Sequence, residues 1–343
     1  MNLASPDWML AGFDSTGEIF QFAQVSRQTY QQSSFLDHRI QPIPERLVSA
    51  SGAEVDGVLT GCESKPAGYI FHSAFCTSTL LSFCLDHQPK TLVLREPMVL
   101  SRLASHNRGL ASADGALPAL LRQRVLGLLE RSYAAESVII KPSNIANALI
   151  PGILQTAPGQ PAQRRCVLLS CSLYNLLVSI LKKTDEARGL LPRFLAALLK
   201  DSNYLQRVQL PSLESLDLLQ QSAVFWHCQR YLFNTIRAEF GAQQVLPLSM
   251  EFFLREPLQA LTAINDFLGL GLGVSELETT VTEGAFLQHA KAGTRYAPQQ
   301  RQEEAEQVAR RYGREIESTL AWMQPTLRNI PVEPLDVAEN LLT

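Results

Sequence analysis

The stretch "FHSAFCTSTLL", residues 71–81, decides how this chain is read. It follows the apolar approach "PAGYI" and has the order of a phosphate-binding turn: buried strand, small residues, then a helix. A helix N-terminus offers unpaired N–H groups and the positive end of the dipole, so such a turn holds phosphate or sulfate without a cation. Yet this turn has no glycine and no lysine. Against the pattern G-x-x-x-x-G-K-[ST], Thr77 falls on the second glycine, Ser78 on the lysine and Thr79 on the final hydroxyl, with Ser73 opening the loop. Only Thr79 satisfies the pattern. The lysine that stabilises charge on a transferred phosphoryl group is missing, and no acidic residue ends an apolar strand where magnesium would sit. The pattern argues against a kinase or an ATPase.

Outward from the loop, short apolar runs alternate with helical spacing. "GYIFHS" reads as a buried strand, "STLLSFCLDH" as a helix, "KTLVLREP" as a second strand stopped by Pro97, and "MVLSRLAS" as a helix. "LPALLRQRVLGLLERSYA" is an amphipathic helix, "SVIIKPSN" a third strand, and "IANALIPGILQ" a helix that ends at Pro151. "RCVLLSCS" makes a fourth strand and "LYNLLVSILKK" its helix. This alternation predicts an α/β fold with a parallel sheet covered on both faces. Residues 186–241 read as a helical insertion, with a weak start signal at Ser212 and a firm end at Gly241. "QVLPLSMEFF" returns to strand, "PLQALTAINDFLGL" is a helix between proline and glycine, and residues 299–323 form a helix with a charged outer face. The main domain spans 66–325, residues 1–65 form a mixed segment packed on it, and 326–343 form a tail. Within the first segment only "GEIFQFAQVSR" suggests a strand.

Composition narrows the function. The chain has 343 residues, 46% apolar and 18% charged, enough to bury a large core and too apolar for disorder. A net charge of −3 gives no general attraction to nucleic acid or anionic membranes, so any anion site is local. The start, "MNLASPDWMLAGFDSTGE", lacks the form of a signal peptide, and no window is long and apolar enough to span a bilayer. The cysteines at 62, 76, 84, 166, 171 and 228 form no C-x-x-C pair, which argues against structural zinc and for reduced thiols in the cytoplasm.

With these elements placed, "SAFCTSTLL" resembles the "P-R-S-G-S-T-L-L" loop of sulfotransferases, which share the P-loop fold and use phosphoadenosine phosphosulfate without metal. "KTLVLREPMVLSRLA" resembles the second strand of bacterial sulfotransferase-like proteins, and "RCVLLSCSLYNLLVSILKK" the segment that grips the donor's 3′-phosphate. "VLPLSMEFFLREPLQALTAINDFLGL" and "FLQHAKAG", which carries His289, resemble later segments of the same family, so the likeness runs over roughly residues 69–325. It implies sulfuryl transfer from that donor to a hydroxyl or amine of a small-molecule or carbohydrate acceptor, with Ser73, Phe75, Cys76, Thr77, Ser78 and Thr79 around the donor. The departures are specific: the family's basic loop residue falls on Phe75, its glycine on Thr77, and its 3′-phosphate arginine on Cys171, while the partner serine is kept as Ser179.

Two residues stand ready to replace the lost charge. Arg95 and Lys141 end predicted strands, at the sheet edge where open α/β folds bind ligands. Ser143 and Asn144 follow Lys141 with hydrogen-bonding groups. Glu96 is the candidate general base, with His106 second to it. The plain alternatives are an Arg95–Glu96 ion pair, a surface Lys141, an ordinary N-cap at Ser78 or Thr79, and core roles for His72 and His227. Cys76, at a helix start, is either a thiol of lowered pKa or a small residue chosen for fit. Loss of Phe75's and Cys171's basic counterparts together also fits a binding or scaffold protein, with a protein partner, that has lost transfer activity.

Overall fold

The computed structural model describes residues 2–40, 47–62, 66–113, 115–133, 136–155, 163–287 and 298–332. Among the described residues, eight strands fall into two sheets. β1 (Trp8–Phe13), β2 (Ile19–Gln24) and β3 (Leu47–Ser51) form an antiparallel sheet in that order. β4 (Gly68–His72), β5 (Thr91–Arg95), β6 (Ser137–Lys141), β7 (Arg165–Ser170) and β8 (Val245–Ser249) form a parallel sheet in the order β5-β6-β4-β7-β8. The α/β parallel-sheet class expected from the sequence is the one observed, with additional helices. The antiparallel sheet is an addition that the sequence pattern does not resolve.

The parallel strands are continuous apolar runs because both faces are covered. Their side chains still alternate. Tyr69, Phe71, Leu92, Leu94, Val138, Ile140, Cys166 and Leu168 point into a core shared with the antiparallel sheet and with the helices Met98–Ala111 and Ala119–Leu129. Ile70, Val93, Ile139, Val167 and Leu169 point into a second core under the helices Leu173–Leu181, Leu191–Lys200, Leu218–Phe240 and Pro257–Leu268. The antiparallel sheet and the helices Met98–Ala111 and Ala119–Leu129 thus cover the first of these two faces together.

Three local readings are corrected. Pro151 does not end a helix: a 3-10 turn over Asn144–Leu149 runs into the helix Ile150–Leu154, and Pro151 sits in its first turn, where no N–H is needed. The long insertion helix starts at Asp217 with Gln220 in a capping box, not at Ser212, and it does end at Gly241 (φ 68°). Pro247 lies inside β8, which is tolerated because β8 is an edge strand bonded only to β7.

The strand order has one reversal. From β4 the chain passes over β6 to β5, returns to β6, and then crosses to β7 and β8 on the other side. The carboxyl ends of β4, β6 and β7 thus surround a switch point, the place where open α/β sheets form their ligand crevice.

Candidate functional site

The loop 73–77 leaves β4 at this switch point. Ala74 (φ 62°), Phe75 (φ 53°) and Thr77 (φ 59°) all adopt left-handed backbone conformations without being glycine. Each such residue stores about 1–3 kcal/mol of strain, and the two apolar cores supply far more than that. The loop takes this left-handed path without a glycine.

This path leaves donors unused. Ser73 N donates to Leu169 O and Ala74 N to His72 Nδ1, but among the described residues the N–H groups of Phe75, Cys76, Thr77, Thr79 and Leu80 meet no oxygen or nitrogen acceptor. Thr77 is the N-cap of the helix Ser78–Cys84 and its hydroxyl bonds Cys76 O instead of capping. The hydroxyls of Ser78 and Thr79 cap nothing either, so the ordinary-cap alternative fails. Thr79 and Leu80 are the ordinary free donors of a helix start, and Phe75, Cys76 and Thr77 extend that row onto the curved loop, a nest of the kind that can hold an anion.

Side chains from elsewhere hold the nest in place. Gln229 donates to Ser73 O at 2.7 Å, and Asn147 donates to both His72 O and Gln229 Oε1 at 3.0 Å. His72 bonds Pro142 O through Nε2, which ties the β4 exit to the β6 exit. His72 is thus a structural residue, as its apolar context suggests. Ser73 Oγ is fully buried and its neighbours are the thiols of Cys76 and Cys171.

Beside the nest, Lys141 is fully buried and pairs with Glu96 Oε1 at 2.5 Å, while Glu96 N donates to Lys141 O at 2.6 Å. Lys141 is no surface lysine. Its charge acts on the Cys76 thiol, so the pair lies within electrostatic range of the loop. Glu96 has φ 49° immediately before a proline, a position where the left-handed region is doubly disfavoured. Asn144 is 7% exposed, and among the described residues its Nδ2 meets no acceptor.

Arg95 corrects the expectation most sharply. It turns away from the switch point, into the seam with residues 27–33. There it is fully buried, pairs with Asp86 at 2.7 Å, and donates to Tyr30 O at 2.8 Å and Ser82 O at 3.2 Å. Neither a donor cation nor an ion pair with Glu96 is formed. His106 packs edge-on against Phe13 of the antiparallel sheet.

On the β7 side, Cys171, where the resemblance expects an arginine, is closed off from solvent. Cys171 is 1% exposed, its carbonyl accepts from Trp226 Nε1 at 2.7 Å, and burial pushes its thiol well above the usual range. Cys76 is pushed up to about 12 by burial, so it is the small fitted residue and not the activated thiol. Ser179 is half-buried seven residues into the helix Leu173–Leu181 from its cap Ser172, about 10 Å along its axis. His289 and most of "FLQHAKAG" lie outside the described residues.

Sequence reasoning missed Asn147, Trp226, Gln229 and Arg230. The sequence signal was Gln229 and Arg230 standing inside the apolar stretch "AVFWHCQRYLF", and the structure buries residues 222–230 without a break. Polar side chains inside an uninterrupted buried run must have fixed partners.

No family model matches the chain, and no curated protein does. Solved structures do. A sulfotransferase domain from the curacin biosynthetic pathway matches at a TM-score of 0.38 and 14% identity, over 73% of this chain and 99% of that one. A sulfotransferase from Alicyclobacillus acidocaldarius matches at 0.37 and 16%, over 62% and 83%. A sulfotransferase from Mycobacterium avium matches at 0.42 and 12%, over 82% of each chain. Likenesses of this depth carry no argument about donor, acceptor or residues. Among the described residues no helix is long and apolar enough to cross a membrane, and no cluster of His, Cys, Asp and Glu could hold a metal ion.

Proposed function

We propose that this chain is a sulfotransferase-like protein that binds the phosphate or phosphosulfate end of a nucleotide in the nest formed by residues 73–80. The observation that carries the reading is the row of unpaired backbone N–H groups on a loop kept in its strained path without glycine. Phosphoadenosine phosphosulfate fits this nest at one end only: Ser78 and Thr79 offer hydroxyls and Lys141 offers charge, but at the end of β7 Cys171 stands where the resemblance expects an arginine, and Arg230 there is buried and bonded to Ser170 Oγ. Transfer, on this reading, uses Glu96 as the acceptor of a proton from a small-molecule or carbohydrate hydroxyl, with Lys141 beside it.

The test is calorimetric titration with adenosine 5′-phosphate and adenosine 3′,5′-bisphosphate, beside ATP with and without magnesium. Metal-independent binding that weakens about tenfold in Thr79→Ala supports the reading. Silence from every nucleotide overturns it.

One observation favours a second reading, a binding protein without transfer. Phe75 packs against the core where the resemblance expects a cation, and Lys141 already faces Glu96. Phe75→Arg decides between them, since the position is half-buried and can project a charge over the nest. Transfer activity that appears only in that variant makes the natural protein a binder. Activity in the natural chain excludes the second reading.

A further inference from the structure

The surroundings of Glu96 include residues 33–40, which lie outside the stretch that resembles sulfotransferases. Leu36 N donates to Arg95 O at 2.8 Å and Leu36 O accepts from Met98 N at 3.1 Å, so this segment runs beside Glu96 and Pro97. Leu36 and Ile40 are buried and anchor it. The turn between them, closed by Ile40 N donating to Asp37 O, carries Arg39. The Arg39 side chain is 50% exposed, yet it is held along one edge and on one face. Nε donates to both oxygens of Asp37, at 2.9 and 3.0 Å, and Nη2 donates to the same carboxylate. The guanidinium carbon lies 3.7 Å over the Phe35 ring.

Asp37 takes the Nε side of the guanidinium. The other fork, Nη1 with the outer N–H of Nη2, meets no acceptor among the described residues. A surface arginine ordinarily loses side-chain freedom when it grips an anion, but here Asp37 and Phe35 have already fixed its plane. Such a fork matches a carboxylate, whose two oxygens it bonds in parallel. Asp37 raises the pKa of Arg39 and Glu96 adds to that rise, so the guanidinium and the Glu96 carboxylate share one field. A second unmet donor stands three residues beyond Lys141, the partner of Glu96: Asn144, 7% exposed, whose Nδ2 meets no acceptor among the described residues.

We infer that Arg39 is a specificity residue that selects acceptors carrying a carboxylate, gripped by its open fork while the acceptor's hydroxyl lies between Glu96 and Asn144. The hydroxyl oxygen accepts from Asn144 Nδ2 and its proton points to Glu96, which leaves each of these groups with a partner of the right kind. The role of the hydroxyl rests on the proposed transfer reading; the carboxylate grip does not.

The probes are 4-hydroxyphenylacetate, its neutral amide 4-hydroxyphenylacetamide, and phenylacetate, which lacks the hydroxyl. Each is titrated calorimetrically into the full chain and its variants Arg39→Gln, Arg39→Lys and Asn144→Ala. The exposure of Arg39 makes its substitutions mild for the fold, and unchanged denaturation midpoints check this. In the natural chain the hydroxy acid binds about tenfold tighter than the amide. Arg39→Gln removes that preference, and Arg39→Lys, which keeps the charge without the fork, restores only part of it. Failure of the acid to bind, equal binding of acid and amide, or a preference that survives in Arg39→Gln overturns the inference and leaves Arg39–Asp37 an ordinary surface ion pair. Phenylacetate binds about tenfold more weakly than the hydroxy acid, and Asn144→Ala narrows that gap. Equal binding of these two acids to the natural chain removes the hydroxyl from Glu96 and Asn144. Adenosine 5′-phosphate is titrated into the same samples. Its silence beside an intact acid preference sinks the nest and keeps the grip of Arg39.

Discussion

At the scale of single residues, the pair Lys141–Glu96 decides whether the switch point is built for stability or for chemistry. Lys141 has no exposed surface and Glu96 keeps 18% of its side chain exposed. Removing one member of a buried pair leaves a charge uncompensated, which costs about 3–5 kcal/mol, while replacing both is far milder. Lys141→Met is expected to lose about 3 kcal/mol in urea denaturation, and Glu96→Gln in the same chain to restore at least half of it. Additive losses would mean that the two residues are not coupled. The sequence revealed that both lie at the sheet's carboxyl edge, since each follows an apolar run. It could not reveal the partner choice. Arg95 and Glu96 are adjacent in the chain, but Arg95 ends its strand while Glu96 lies beyond it with φ 49°, so their side chains part. Arg95 therefore meets Asp86 on one side, and Glu96 meets Lys141 from the neighbouring strand on the other.

At the scale of elements, the helix Leu218–Phe240 carries the support for the loop. Trp226, Gln229 and Arg230 each bond the backbone or side chain of a strand exit or loop residue, to Cys171 O, Ser73 O and Ser170 Oγ. The helix ends at Gly241 with φ 68° and ψ 179°, a region essentially closed to other residues. Gly241→Ala is expected to destabilise the protein by about 1–3 kcal/mol, read as a lower denaturation midpoint with an unchanged slope. No effect would show that this end is free to rearrange. The helix end was legible because glycine after an amphipathic run has a single mechanical reading. The helix start was not, because Ser212 and Asp217 both offer capping side chains and only packing chooses between them. The loop lay between these cases. Its order of strand, small residues and helix pointed to the phosphate-loop path, but nothing local says that Ala74, Phe75 and Thr77 would accept left-handed backbone. That strain is imposed by the cores on either side of the loop.

At the scale of the whole molecule, two cores share one sheet, and their outer layers are tied by a few buried polar contacts. The alternating strands made the parallel sheet readable. The antiparallel sheet over the other face was not, because β3 lies 23 residues beyond the end of β2. The C-terminal layer is fastened by His227, which is fully buried, donates from Nε2 to Ile330 O at 2.9 Å and accepts at Nδ1 from Tyr204 OH at 2.7 Å. This arrangement uses the neutral ring. Burial lowers the pKa of His227, with Arg230 acting in the same direction and the Ile330 carbonyl against both. The folded state therefore binds fewer protons here than the unfolded one, whose histidine titrates near its ordinary value of about 6.5. Stability from this contact is complete above that value and is lost as pH falls from it toward the lowered folded value. Denaturation midpoints measured between about pH 7.5 and 5.5 are expected to fall in the natural chain and to stay nearly flat in His227→Gln. Equal slopes in both proteins would remove His227 as the cause, and the acid sensitivity of the C-terminal layer would then belong to its carboxylates.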